Sequence, residues 1–327
     1  MRVLVTDQVF GGIEIERSIL EPAGVTLVEA PSADEATLAR LAKGSVGLLV
    51  CYAPITDAVL EAAAPDCRVV ARYGIGYDNV RVATATRLGM TVTNVPDYCL
   101  DEVADHTMAL LLAAARRIVD LSSAVRAGQW SVPKSGIHRL RGRRLALLGL
   151  GRIGGRVAER AAAFGLDVVF FDPFLRRIAA APARRVETLE EAIGEADFIS
   201  LHAPLNAGNR GLIGPASIAL MRRAPLIINT ARGGLVDLAA VREALDSGRV
   251  GGVALDVTDP EPLPGDHPLR QHPLALITPH ASFYSAEAQD DLQRRAAEEI
   301  LRSIRGESPR CPVNPEVLQG RELRADG

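Results

Sequence analysis

The sequence predicts an α/β protein: two doubly wound parallel-sheet domains, Rossmann/flavodoxin-like in type, with a cleft between them. Three observations carry that prediction. Strand-like and helix-like segments alternate over the first hundred or so residues. A second alternating series runs from 145 to about 285. At its head stands Gly149-Leu150-Gly151-Arg152-Ile153-Gly154, with Asp172 downstream. Strands that alternate with helices at this spacing can pair only in parallel, with the helices packed on both faces.

The first series reads as strands at 2–6, 25–29, 46–50, 69–71 and 91–93. Helices fall at 13–20, 34–42, 56–63 and 80–88, with Asp34 and Thr56 as capping or first-turn residues. A long helix at 100–117 runs without a break through Val103, Thr107, Leu110, Leu111 and Ala114. It leads into the arginine-rich stretch 139–144. The second series has strands at 145–148, 168–171, 198–201, 226–229, 252–254 and 274–277. Its first helix, 157–164, is closed by Gly165. A polar Ala/Arg/Glu-rich helix covers 285–304, and a Pro-rich polar tail follows Gly306. A nucleotide-binding unit that starts so late leaves a structured N-terminal portion to place. The simplest arrangement inserts a nucleotide-binding domain, 101–287, into a substrate-binding domain made of 1–100 plus 288–327. The site is then expected in the cleft between them.

Composition narrows the function classes. Nearly half of the 327 residues are apolar, and the net charge is −3 with both signs interspersed. That charge pattern leaves no footprint for nucleic acid, and the few aromatics argue against base stacking. Cys51, Cys67, Cys99 and Cys311 are scattered without metal-ligand spacing, so no metal is expected and a reducing cytosol suits them. Met1 runs straight into a strand with no signal-peptide organisation, so a cytoplasmic location is expected. The longest helical apolar stretch, 108–115, is too short to span a bilayer.

The glycine motif sits between an apolar strand and a helix, and a second strand delivers Asp172 at its end. This is the pattern of a dinucleotide-binding βαβ unit. Gly149 permits the tight turn. Gly151 lets the backbone approach a pyrophosphate, and Gly154 lets the helix pack on the strand. The helix N-terminus then presents N–H groups and its positive dipole end to the phosphates. Asp172 would accept from a ribose 2′-OH and repel a 2′-phosphate, which favours NAD over NADP. Arg176 and Arg177, just beyond, would suit a 2′-phosphate, and Asp-Pro also starts turns.

Hydride transfer to a carbonyl needs an acid for the oxygen and a cation for an acidic substrate. Arg232 follows the strand 226–229 and precedes two glycines, placed to grip a carboxylate bidentately or to form a surface ion pair. His280 emerges at the end of the strand 274–277, and His202, at the end of 198–201, is its rival as the acid. Glu261 is the candidate carboxylate partner, which would favour the charged imidazole, and Asp259 competes for that role. Gly74-Ile75-Gly76 follows the strand 69–71 and is either a backbone anion site or a simple turn.

Taken together, these segments resemble the D-isomer-specific 2-hydroxyacid dehydrogenase family, in order and over nearly the whole chain. The matching runs are Arg72 to Asn79, Asn94 to Pro96 with Glu102 to Thr107, Leu148 to Gly154, Asn229 to Asp237, Asp256 to Pro262, and Thr278 to His280. The resemblance implies that Arg232 binds the substrate carboxylate and that His280 is the acid/base paired with Glu261. The backbone of Ile75 and Gly76 would hold the carboxylate, with Arg72 beside them. Thr107, Arg152, Ile153, Asp172, the His202-Ala203-Pro204 segment, Thr230, Ala231 and Asp256 would line the NAD site. The substrate would be a small 2-oxo or 2-hydroxy acid, with phosphoglycerate ranked lower because Arg72 is the only obvious cation near 74–76. Family members are usually homodimers. Asp172-Pro173-Phe174, Leu201-His202 and His280 to Ser285 are most similar to the C-terminal-binding-protein subgroup. Phe283 and Ala53 depart from that subgroup's corepressors, so a corepressor's preferred acid does not carry over. The alternative activity is an NAD(H)-sensing dimeric binding protein with little turnover.

Overall fold

The computed structural model describes residues 1–133, 136–175 and 181–318. The chain divides into two compact units: Met1–Tyr98 with the chain from Ser285 onward, and Cys99–Tyr284.

The first unit holds five parallel strands: β1 (Arg2–Val5), β2 (Thr26–Glu29), β3 (Gly47–Val50), β4 (Val69–Arg72) and β5 (Thr91–Thr93). Their order is β2-β1-β3-β4-β5, the doubly wound order with its reversal between β1 and β3. Leu48, Leu49 and Val50 of β3 are fully buried, because helices cover both faces of a parallel sheet. Asp34 caps the Glu35–Ala42 helix by accepting from Thr37 N–H at 3.0 Å. Thr56 caps the Asp57–Ala63 helix by accepting from Val59 N–H. Ser285 does the same for the Ala286–Ile304 helix through Ala288 N–H at 2.9 Å. That helix buries Leu292, Ala296, Ala297 and Ile300 in one cluster with Val3, Leu49 and Val69. At the β1/β3 reversal the Asp7 carboxylate accepts from the N–H groups of Cys51, Tyr52 and Ala53 at 2.6–3.0 Å. A backbone anion nest at the usual ligand position is thus filled by the chain's own carboxylate.

The second unit holds seven parallel strands: β6 (Arg144–Leu148), β7 (Asp167–Phe171), β8 (Arg184–Arg185), β9 (Phe198–Leu201), β10 (Leu226–Asn229), β11 (Gly252–Leu255) and β12 (Ala275–Ile277). Their order is β12-β11-β10-β9-β6-β7-β8, with the reversal between β6 and β9. Buried side chains form a cluster on each face. In β9, β10 and β11 every residue is buried, which is why their sequences are apolar apart from Ser200 and Asn229.

Two expectations need correction, and one short strand has no counterpart among the expected ones. The helix expected unbroken over 100–117 spans Leu100–Ala115; Arg117 turns left-handed at φ 52 and a separate Ile118–Arg126 helix follows. That second helix buries none of its residues although its apolar side chains keep a helical spacing, and no glycine or proline in the sequence marks the break at Arg117. The helix expected from Val157 begins at Arg152, and its first turns carry Gly154 and Gly155, which weaken the helical signal. The edge strand β8 is two arginines long and has no strand-like pattern.

No described helix is long and apolar enough to cross a membrane. Among the described residues no group of three or more His, Cys, Asp or Glu side chains could hold a metal. Burial pushes the Cys51 and Cys67 thiols up to about 12, which leaves them inert.

Candidate active site

The β6/β9 reversal opens the crevice in which a doubly wound sheet binds its ligand. The motif glycines sit there, and each is required for a different reason. Gly149 has φ +102, and a Cβ on it would lie 2.7 Å from the His202 carbonyl oxygen. The turn therefore demands glycine both for its backbone and for the close approach of the loop after β9. A Cβ on Gly154 would meet Gly149 O at 2.6 Å, so the helix can seat on the turn only without a side chain. Gly151 is different: nothing lies within 4 Å of where its Cβ would be. It starts the Arg152–Ala163 helix, and no side chain caps that end. An open approach to a helix N-terminus that no side chain caps fits a pyrophosphate.

Asp172, directly after β7, is held by the backbone around it. Its Oδ2 accepts from Leu150 N–H at 3.1 Å, inside the glycine turn, and its Oδ1 accepts from Phe174 and Leu175 N–H at 3.0 and 3.1 Å. Arg176 and Arg177 lie outside the described residues. His202 Nε2 lies 2.9 Å from Ser200 Oγ, and burial pushes its imidazole down to about 4. A ring that is neutral through the physiological range is a poor proton donor.

His280 Nδ1 lies 2.9 Å from Glu261 Oε2, with side chains 29% and 36% exposed. The pair is thus reachable from solvent. The carboxylate accepts, so Nδ1 carries the hydrogen and Nε2 is the ring's other working atom. Glu261 Oε1 accepts from Thr258 N–H at 2.9 Å, which fixes the carboxylate plane. Asp259 is turned elsewhere, paired with Arg210 at 2.6 Å. The backbone of His280 is left-handed at φ 54, a conformation that costs a non-glycine residue about 1 kcal/mol or more. Asp256 offsets that cost. Its carbonyl accepts His280 N–H at 2.8 Å, and its buried carboxylate accepts from Thr278 Oγ1 at 2.6 Å and from Ala281 and Ser282 N–H at 2.9 Å each. Bonds to a charged acceptor contribute about 1.5–3 kcal/mol each, more than the strain. Burial alone would push the Asp256 carboxyl up; these hydrogen bonds outweigh it and hold the group below its usual range.

The loop that carries Arg232 is brought against the loop that carries Glu261. Gly233 has no room for a Cβ, because the Thr258 carbonyl and the Asp259 amide occupy that space. Glycine here lets the loop after β10, which carries Arg232, touch the loop after β11, which carries Glu261. Asn229, fully buried, clamps the first loop. Its Nδ2 donates to Arg232 O at 2.8 Å and its Oδ1 accepts from Ala231 N–H at 3.0 Å. Thr107 and Thr230, both expected to line the cofactor, are buried and hydrogen-bonded to each other at 2.8 Å. Ala203 packs against Gly149, and Pro204 O accepts from Asn209 Nδ2 at 2.7 Å. Arg152 is exposed and Ile153 half-buried in the first turn after Gly151.

In the first unit the 74–76 loop is held by its carbonyls. Gly74 O accepts from Val95 N–H at 3.0 Å, and Ile75 O accepts from Asn94 Nδ2 at 2.7 Å. In a trans peptide the N–H points opposite to the C=O. The N–H groups of Ile75 and Gly76 therefore both point away from the segment 94–95, as a backbone anion site requires. Arg72 donates to Tyr73 O and its guanidinium lies 5.9 Å from the centre of the Tyr52 ring.

His106 lies inside the Leu100–Ala115 helix. The structure sets its Nε2 3.1 Å from Thr278 Oγ1 and 3.6 Å from Asp256 Oδ1. Its contact joins residues far apart in the chain, which no local pattern records.

The chain is similar over most of its length to known proteins. Residues 108–282 match the family model described as D-isomer specific 2-hydroxyacid dehydrogenase, NAD binding domain. A glyoxylate reductase of Korarchaeum cryptofilum is 38% identical over 299 residues, 90% of each chain. A D-3-phosphoglycerate dehydrogenase of Methanocaldococcus jannaschii is 37% identical over 322 residues, covering 98% of this chain and 60% of that longer protein. Among solved structures, an NADPH-dependent glyoxylate/hydroxypyruvate reductase of Sinorhizobium meliloti, in complex with NADP and malonate, superposes with a TM-score of 0.86 at 28% identity, covering 95% of this chain and 96% of that one.

Proposed function

The chain belongs to the D-isomer specific 2-hydroxyacid dehydrogenase family, and from that premise we propose that it reduces a small 2-oxo acid to its D-2-hydroxy acid, with His280 as the acid. The observation that carries this reading is the 2.9 Å His280–Glu261 pair, packed beside the Arg232 loop through the Gly233 contact.

The chain's own groups divide the work. The motif glycines and the Arg152–Ala163 helix N-terminus would hold the pyrophosphate, and Asp172 would take the ribose hydroxyls. Nicotinamide, held there, would supply hydride for the carbonyl carbon. Arg232 grips the substrate carboxylate and polarises the carbonyl. His280 Nε2 gives a proton to the carbonyl oxygen, and Glu261 holds the ring by Nδ1. The resemblance assigns carboxylate binding to Ile75 and Gly76 as well, and the direction of their N–H groups is what that role needs. The likeness to the C-terminal-binding-protein subgroup rests on the motifs at 172–174, 201–202 and 280–285.

A homodimer is part of the same proposal. Trp130 and Val132 are 90% and 89% exposed, beside a helix that also exposes Ile118, Val119 and Val125. A monomeric mass by light scattering at micromolar concentration would contradict it.

The test of the activity is NADH oxidation against a panel of 2-oxo acids led by glyoxylate and hydroxypyruvate, with NADPH run in parallel. Rapid turnover of at least one acid is expected, faster with NADH because Asp172 would repel a 2′-phosphate. Tight NADH binding with no turnover on any acid would favour the dimeric NAD(H) sensor instead.

A further inference from the structure

Two threonines stand at matching places in the second unit. Thr230 lies two residues before Arg232, and Thr278 lies two residues before His280. Neighbouring residues of one helix, Leu100–Ala115, reach both. Thr107 Oγ1 lies 2.8 Å from Thr230 Oγ1, and His106 Nε2 lies 3.1 Å from Thr278 Oγ1. One rigid element is therefore tied to the roots of both loops that carry the proposed chemistry.

The bond to Thr278 has a direction. A threonine hydroxyl has one hydrogen. Thr278 Oγ1 lies 2.6 Å from Asp256 Oδ1, and a carboxylate held ionised can only accept. The Thr278 hydrogen is committed to Asp256, so His106 Nε2 must carry the hydrogen that points at Thr278. The chain runs from His106 Nε2–H to Thr278 Oγ–H to the Asp256 carboxylate. The neutral Nε2 tautomer and the protonated ring serve it equally. It ends on the group that accepts the Ala281 and Ser282 N–H groups at 2.9 Å, directly after His280. The Asp256 carbonyl accepts His280 N–H. The left-handed turn that aims the His280 ring is built on Asp256 from both sides. A donor that anchors Thr278 to Asp256 therefore sets where that ring stands.

We propose that His106 is a positioning residue for His280, acting through Thr278 and Asp256. The proposal rests on His280 being the acid. Misplacing a reacting group by a fraction of an ångström lowers the rate without weakening cofactor binding.

Four variants of the full chain test it: His106→Phe, His106→Gln, His280→Ala and His106→Phe with His280→Ala. His106→Phe keeps a ring without the donor and should lower kcat about tenfold, with KM for NADH within about twofold of the parent. His106→Gln places an amide N–H where Nε2 was and should recover kcat to within about threefold. On the His280→Ala background, His106→Phe should cost nothing further, because the residue it positions is gone. If His106→Phe does not fold, His106→Asn, whose amide is too short to reach Thr278, repeats the test. An unchanged kcat in His106→Phe, a failure of His106→Gln to recover, or an equal loss without His280 would overturn the proposal. Full activity in His280→Ala would overturn the acid assignment itself, a separate result from a silent His106→Phe.

Discussion

His280→Ala lowers kcat for 2-oxo acid reduction by about a hundredfold or more, the usual scale for loss of a general acid, while NADH binding stays as it was. The effect follows from the position of the ring. Nδ1 is committed to Glu261 at 2.9 Å, so proton transfer falls to Nε2, and alanine removes both atoms. His202 cannot stand in, because burial holds it neutral with a value of about 4 and it is bound to Ser200. Steady-state kinetics with NADH titrated by fluorescence separates the two quantities. A loss smaller than about tenfold, with NADH affinity intact, would move the acid elsewhere. The backbone adds a second consequence. Alanine at a position with φ 54 bears the strain of the left-handed turn without the imidazole's partner, so the variant should also melt somewhat lower.

Much of this site was legible in the sequence because its residues sit at the ends of buried strands. An apolar run that stops at a histidine, an arginine or an aspartate places that side chain at the sheet's edge, where ligands bind. That rule makes His280, Arg232 and Asp172 candidates, and the structure puts each of them just past the end of a strand. The partners were harder to read. Glu261 and Asp259 lie two residues apart in a proline-rich loop, and only the structure shows Asp259 paired with Arg210 and Glu261 turned to His280. The function of Gly233 was hidden for the same reason. Its necessity comes from the Thr258–Asp259 backbone pressed against it, a contact between loops. Asp256, expected to line the cofactor site, is buried and its carboxylate also holds the turn that carries His280, which no motif records. The Ile118–Arg126 helix was merged with the one before it because Arg116-Arg117 carries no glycine or proline to mark the break.

Arg232→Ala lowers kcat/KM for a 2-oxo acid by about a hundredfold or more, the scale for losing one preorganised electrostatic contact to a reacting carbonyl. The preorganisation is visible in the loop. Asn229 holds the backbone on both sides of Ala231, Gly233 locks the following residue against Thr258, and Arg232 NH1 donates to Ala231 O at 2.7 Å. The guanidinium therefore starts close to its working place and loses little freedom when a carboxylate arrives. Lysine at 232 keeps the charge but replaces a planar fork with a point donor on a flexible stem. Arg232→Lys should recover only part of the loss, and KM for NADH should be unchanged in both variants. The substrate itself supplies the sharper control. With an aldehyde or ketone that has no carboxylate, the penalty of Arg232→Ala should shrink, since only the contact to the carbonyl remains to be lost. An equal penalty on both kinds of substrate would mean that Arg232 shapes the loop rather than grips the acid. The carboxylate would then have to be held by other groups.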